Sequence, residues 1–103
     1  MAKMKPKKKG KKSVDLPSEE IIRSWVRETI QFYSGYPAED MEDDQELLKR
    51  PIEIDPASLV DLAGTLRHGV KYYNPNETVL VSDVDDETVG GITATVTTRI
   101  RGT

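Results

Sequence analysis

Six apolar side chains near the start of the chain constrain it more than anything else in the sequence. Ile21, Ile22, Trp25, Val26, Ile30 and Tyr33 recur at steps of three and four, which draws one stripe down an amphipathic helix. Pro17-Ser18-Glu19-Glu20 reads as its start, with Ser18 as the cap and two glutamates complementing the positive end of the helix dipole. Ser34-Gly35-Tyr36-Pro37 reads as its end, with Gly35 suited to a left-handed cap and Pro37 barring continuation. Such a helix is stable only when its stripe is covered. A cover lies downstream: Asp55-Pro56 opens a second helix, an acid at the cap and a proline where a missing donor costs nothing. Leu59, Leu62, Leu66 and Val70 then follow on one face, until Tyr72-Tyr73-Asn74-Pro75-Asn76 turns the chain. Helices near 18–34 and 56–71 are expected to pack antiparallel, with Trp25, Ile30, Leu59, Leu62 and Leu66 in one core.

Between them runs a long connection over 38–55. It is acidic at first, with Glu39, Asp40, Glu42, Asp43, Asp44 and Glu46, and also carries Met41, Leu47, Leu48, Ile52 and Ile54. A free loop would not hold five apolar residues, so these are expected to pin it to the core. The last quarter has two readings. Thr78-Val79-Leu80-Val81 is rich in β-formers, and residues 92–100 alternate as a strand does, yet Val89, Ile92, Val96 and Ile100 also fit helical spacing. The fold is therefore read as mainly α, a small helical bundle. The alternative is an α+β fold with a C-terminal β-hairpin from Val79 to Ile100.

Length and composition set the remaining bounds. At 103 residues one domain is expected, and the 24 Leu, Ile, Val and Phe residues suffice for a thin core. No stretch approaches the 18 uncharged apolar residues of a membrane span, and the lysine-rich start has no apolar region behind it, so a cytoplasmic protein is expected. Cysteine is absent, which removes disulfides, thiolate metal sites and cysteine nucleophiles. His68 is the single histidine, which argues against a His-dependent triad or a zinc site.

Charge is distributed unevenly. Residues 1–12 hold seven lysines and no acid, a charge of +7; residues 13–103 hold 8 basic and 18 acidic residues, a charge of −10. A like-charged run containing Pro6 and Gly10 has no apolar surface to bury, so residues 1–14 are read as a disordered arm ahead of a folded domain over 15–103. The arm suits contact with a polyanion, nucleic acid or an anionic membrane surface, or simple solubilisation. The acidic body repels phosphates and favours partners with basic docking surfaces.

Sites of chemistry are few. Asp83-Val84-Asp85-Asp86-Glu87 alternates acids as a calcium loop does, but Thr88 stands where the sharp turn wants glycine and Ala94 where a bidentate glutamate is needed, so no metal is expected. Asn76-Glu77-Thr78 is a glycosylation sequon, inert in a protein that is not exported. Gly90-Gly91 lacks the spacing and the lysine of a phosphate-cradling loop. His68 falls between the apolar positions of the second helix and is read as a surface residue. The carboxylates gather in loops rather than in a shielded cleft, so no enzyme is expected.

Three stretches, in order, resemble a known family. Gly35-Tyr36-Pro37-Ala38-Glu39-Asp40-Met41 follows helix one, Ile54-Asp55-Pro56-Ala57-Ser58-Leu59-Val60-Asp61-Leu62 opens helix two, and Glu87-Thr88-Val89-Gly90-Gly91-Ile92 lies near the end. Together with the acidic connection they resemble the acyl and peptidyl carrier proteins over about residues 18–98. The resemblance implies a small acyl-carrier-like helical bundle, with 4'-phosphopantetheine attached to a serine in an Asp-Ser-Leu motif where helix two begins. Two registers fit that motif. Keeping Val60, Asp61, Leu62, Leu66 and Val70 in the family's phase puts Pro56, which has no hydroxyl, in the serine's place; reading Asp55-Pro56-Ala57-Ser58-Leu59 as the motif with two residues inserted makes Ser58 the attachment site. Arg67, His68 and Lys71 also stand where these carriers usually present acids to partner enzymes. Three functions follow from these readings. One is a carrier moving an acyl or aminoacyl group on Ser58 as a thioester among partner enzymes. The second is a carrier-shaped protein-interaction module without a prosthetic group. The third is an α+β adaptor with a nucleic-acid-contacting basic arm.

Overall fold

A computed structural model describes residues 15–102, so the lysine arm lies outside the described residues. The protein is mainly helical: α1 spans Glu19–Ser34, α2 Pro56–Tyr73, α3 Val81–Val84 and α4 Val89–Arg101, with one 3₁₀ turn over Ala38–Asp40. The first helix starts and stops where its sequence dictates. Ser18 Oγ accepts from the Ile21 N–H at 3.2 Å, and Gly35 closes the last turn at φ 81°, its N–H donating to the Gln31 carbonyl at 2.8 Å.

The second helix begins at Pro56 and runs two residues further than expected, to Tyr73. Asp55 occupies the cap position, but its side chain makes no capping hydrogen bond; the proline's fixed φ sets the first turn instead. Contacts along α1 and α2 run in opposite senses. Tyr33 Oη lies 2.6 Å from Thr65 Oγ1 near one end, Trp25 lies on Gly69 further along, and Ile21 shares a cleft with Tyr72 at the other end. The core holds Ile22, Val26 and Ile30 from α1 with Leu59, Leu62, Leu66 and Val70 from α2. Trp25 departs from expectation: with Tyr33 it packs half-buried against this core rather than inside it, and Ile21 is exposed. The six-residue stripe is wider than the face that α2 and α4 jointly cover, so its edge is left in solvent.

The connection is pinned as its composition requires. Met41, Leu47, Ile52 and Ile54 are buried and Leu48 is half-buried. Its backbone also reaches the start of α4 and the turn before it: Leu47 N–H donates to the Glu87 carbonyl at 3.2 Å, Val89 N–H to that of Gln45 at 2.9 Å and Gly90 N–H to that of Asp43 at 2.9 Å. Gly90 serves this approach, because a Cβ there would sit 2.8 Å from Asp43 Cβ.

The C-terminal quarter forms helices, which overturns the hairpin alternative. Thr88 Oγ1 caps α4 by accepting from the Gly91 N–H at 3.0 Å, and Gly102 ends it at φ 74°. Val89, Ile92, Val96 and Ile100 are its buried residues, so the 3, 4, 4 spacing prevails over the alternation of threonines. One of those threonines, Thr93, directs its hydroxyl back to the Val89 carbonyl at 2.9 Å, a bond that suits a helical hydroxyl. Residues 78–81 form no strand either: Val79 is buried, Leu80 and Val81 are exposed, and the chain turns into α3. The pairing nearest to a strand among the described residues is an isolated antiparallel bridge between Glu46 and Thr88. No helix among the described residues is long and apolar enough to cross a membrane.

Candidate functional site

The start of α2 is where the carrier resemblance places its chemistry. Pro56 is the first helical residue and Ser58 the third, inside the first turn. Asp55, Pro56 and Ala57 are exposed, Ser58 is half-buried and Leu59 is in the core. On the outer face of the same helix Arg67, His68 and Lys71 are exposed. Arg67 Nη1 donates to the Val79 carbonyl at 3.3 Å and Lys71 Nζ to the Pro75 carbonyl at 3.3 Å, so both cations also hold the turn that follows α2.

The acids divide into engaged and open groups. Asp43 pairs with Arg27 at 2.5 Å and with Arg23 at 3.5 Å, Glu46 with Lys49 at 3.6 Å and Glu53 with Arg50 at 3.7 Å. Arg27 also donates to the Met41 carbonyl, which fixes the start of the connection against α1. Asp83 and Arg99 form a two-pronged pair at 2.6 and 3.2 Å, and Asp83 additionally accepts the Leu80 N–H at 2.8 Å. The Arg99 guanidinium, then the Leu80 N–H, hold the Asp83 carboxyl below the usual carboxylate range, and Asp83 in turn raises Arg99. The first acid of the apparent calcium loop is therefore part of a structural ion pair. Among the described residues no cluster of three or more His, Asp or Glu side chains is placed to hold a metal ion. Glu39, Asp40, Glu42 and Asp44 remain exposed on the connection, and Asp85 and Asp86 on the turn before α4.

A second feature is absent from the sequence reading. Along the seam of α1 and α2 lies an apolar cleft of about 360 Å³, with Ile21, Trp25, His68, Gly69 and Tyr72 among its walls. Trp25 forms its floor by lying against Gly69 where any Cβ would collide with the indole. Phe32 stands on the same side of α1 toward its far end, its ring edge-on to Tyr33 with centroids 4.9 Å apart. The signal was in the sequence: a glycine inside α2 costs about 1 kcal/mol relative to alanine and needs a packing reason, which Trp25 supplies.

Comparison with known proteins gives no match to any family model, to any curated protein or to any solved structure.

Proposed function

We propose that this chain is a carrier-shaped protein-interaction domain that works without a prosthetic group, presenting its acidic connection to basic surfaces on partner proteins. The observation that carries the reading is Pro56 as the first residue of α2, the position that takes the serine's place when the helix-two ladder is kept in the family's phase. The order of elements supports the carrier shape: an amphipathic α1, an acidic connection with buried anchors, α2 opened at Asp55 and a last helix opened at Thr88-Val89-Gly90. The open carboxylates at 39, 40, 42 and 44 provide the docking charge, and they steer association in a salt-dependent way.

A second reading keeps the prosthetic group. Ser58 is partly accessible, lies within the first turn after Asp55, and precedes a buried leucine as a Ser-Leu motif would. In that reading Ser58 carries 4'-phosphopantetheine, and an acyl or aminoacyl group travels on it as a thioester. One experiment separates the two: the protein is incubated with coenzyme A and a broad-specificity phosphopantetheinyl transferase, and its intact mass is measured. The expected result is an unchanged mass while a known carrier in the same tube is modified. A gain of one phosphopantetheine that is lost in Ser58→Ala establishes the carrier instead.

A further inference from the structure

We propose that the α1/α2 seam is the interface of a twofold dimer, in which Phe32 of each copy seats in the cleft between Ile21, Trp25 and Tyr72 of the other. The two halves of such a contact stand on one face of the same molecule. Ile21 is 61% exposed and Tyr72 69% exposed at the cleft end, whereas Phe32 is 79% exposed at the opposite end. Monomeric proteins scatter exposed apolar residues singly, so three along one seam with a preformed cleft mark a contact surface. A knob at one end and a hole at the other form a self-complementary pair under a twofold axis across the seam, because that axis lays each end of one copy on the opposite end of its partner.

Charge selects a second copy as the occupant. The cleft end carries Arg101, whose Nη1 donates to the carbonyl of the cleft residue Pro17 at 2.7 Å. The Phe32 end carries Glu28 and Asp61, both exposed. The twofold arrangement therefore sets acids against cations at both ends of the contact. The body as a whole carries −10, so copies would otherwise repel. The seam avoids that repulsion, since Glu19, Glu20 and Asp43 line a cleft on the other flank of α1, together with Gly90 and Thr93 of α4. The dimer leaves the acidic connection free, and it is independent of the reading of Ser58.

The test is the mass of the full chain in solution, by light scattering and sedimentation over a concentration series up to about 1 mM, the limit of weak specific association. Twice the chain mass is expected at the upper end. Phe32→Ser is expected to give monomer throughout with unchanged circular dichroism and thermal midpoint, because the ring is too exposed to support the core. Glu28→Lys is expected to weaken the dimer and Glu28→Lys with Arg101→Glu to restore it. A wild-type chain that stays monomeric to about 1 mM overturns the proposal, as does a dimer indifferent to Phe32→Ser. A charge exchange that fails to restore association overturns the arrangement of the two copies.

Discussion

Asp83 shows how one carboxylate is diverted from ligand chemistry to architecture. Its two oxygens accept from both ends of the Arg99 fork and from the Leu80 N–H, and Arg99 reaches on to the Thr78 carbonyl at 3.0 Å. One ion pair thus joins α4 to α3, and Arg99 ties in the turn that precedes α3. Because the folded protein holds the Asp83 carboxyl below its unfolded value of about 3.9, the pair contributes its full stability above that pH. The contribution is lost as pH falls through the lower, folded value. Asp83→Asn keeps an acceptor for Leu80 but removes the charge, so it should destabilise by at most about 1 kcal/mol at neutral pH for a pair this close to the surface. Thermal melts of both proteins from pH 7 down to pH 2 check the sign. The gap between them should hold to about pH 4 and close below it, and a gap that persists to pH 2 would show that the ion pair is not its source.

At the scale of elements, α2 decides the register of the whole core. Leu62 is fully buried while Val60, two residues before it, is exposed, so the two positions report opposite faces of one helix. Leu62→Ala should cost on the order of 2–5 kcal/mol as a large-to-small core change. Val60→Ala should stay within about 0.5 kcal/mol. Chemical denaturation of both variants measures the difference, and similar losses would refute the facing of α2. Both long helices were legible in the sequence because caps and apolar spacing agree there: Ser18 and Gly35 bound a ladder that already names Ile22, Val26 and Ile30. The last helix was not, because threonine suits strands and Thr93, Thr95, Thr97 and Thr98 blur a helical ladder with a two-residue alternation. In the structure Thr88 caps that helix and Gly102 stops it. The seam was hidden for another reason. Ile21, Trp25 and Tyr33 read as core in any one-dimensional pattern, and only the lateral position of α2 separates the covered part of the stripe from its exposed edge.

The whole molecule combines a body of charge −10 with an arm of charge +7. Removal of residues 1–12 should leave the thermal midpoint nearly unchanged while abolishing salt-sensitive binding to DNA, RNA or anionic vesicles. A large fall in midpoint at low salt would show instead that the arm docks on its own acidic body. The body itself is closed by its connection: the stretch between α1 and α2 buries Met41, Leu47, Ile52 and Ile54 and hydrogen-bonds through residues 43–47 to the first turn of α4 and to Glu87 just ahead of it. Peeling that stretch away would strip the core and uncap α4 in the same motion, so it has no separate opening of its own. The backbone amides of Leu47, Ile54, Val89 and Gly90 are therefore expected to exchange with solvent only through unfolding of the entire domain, which native-state hydrogen exchange checks. Limited proteolysis within residues 38–55 is expected to be slow for the same reason.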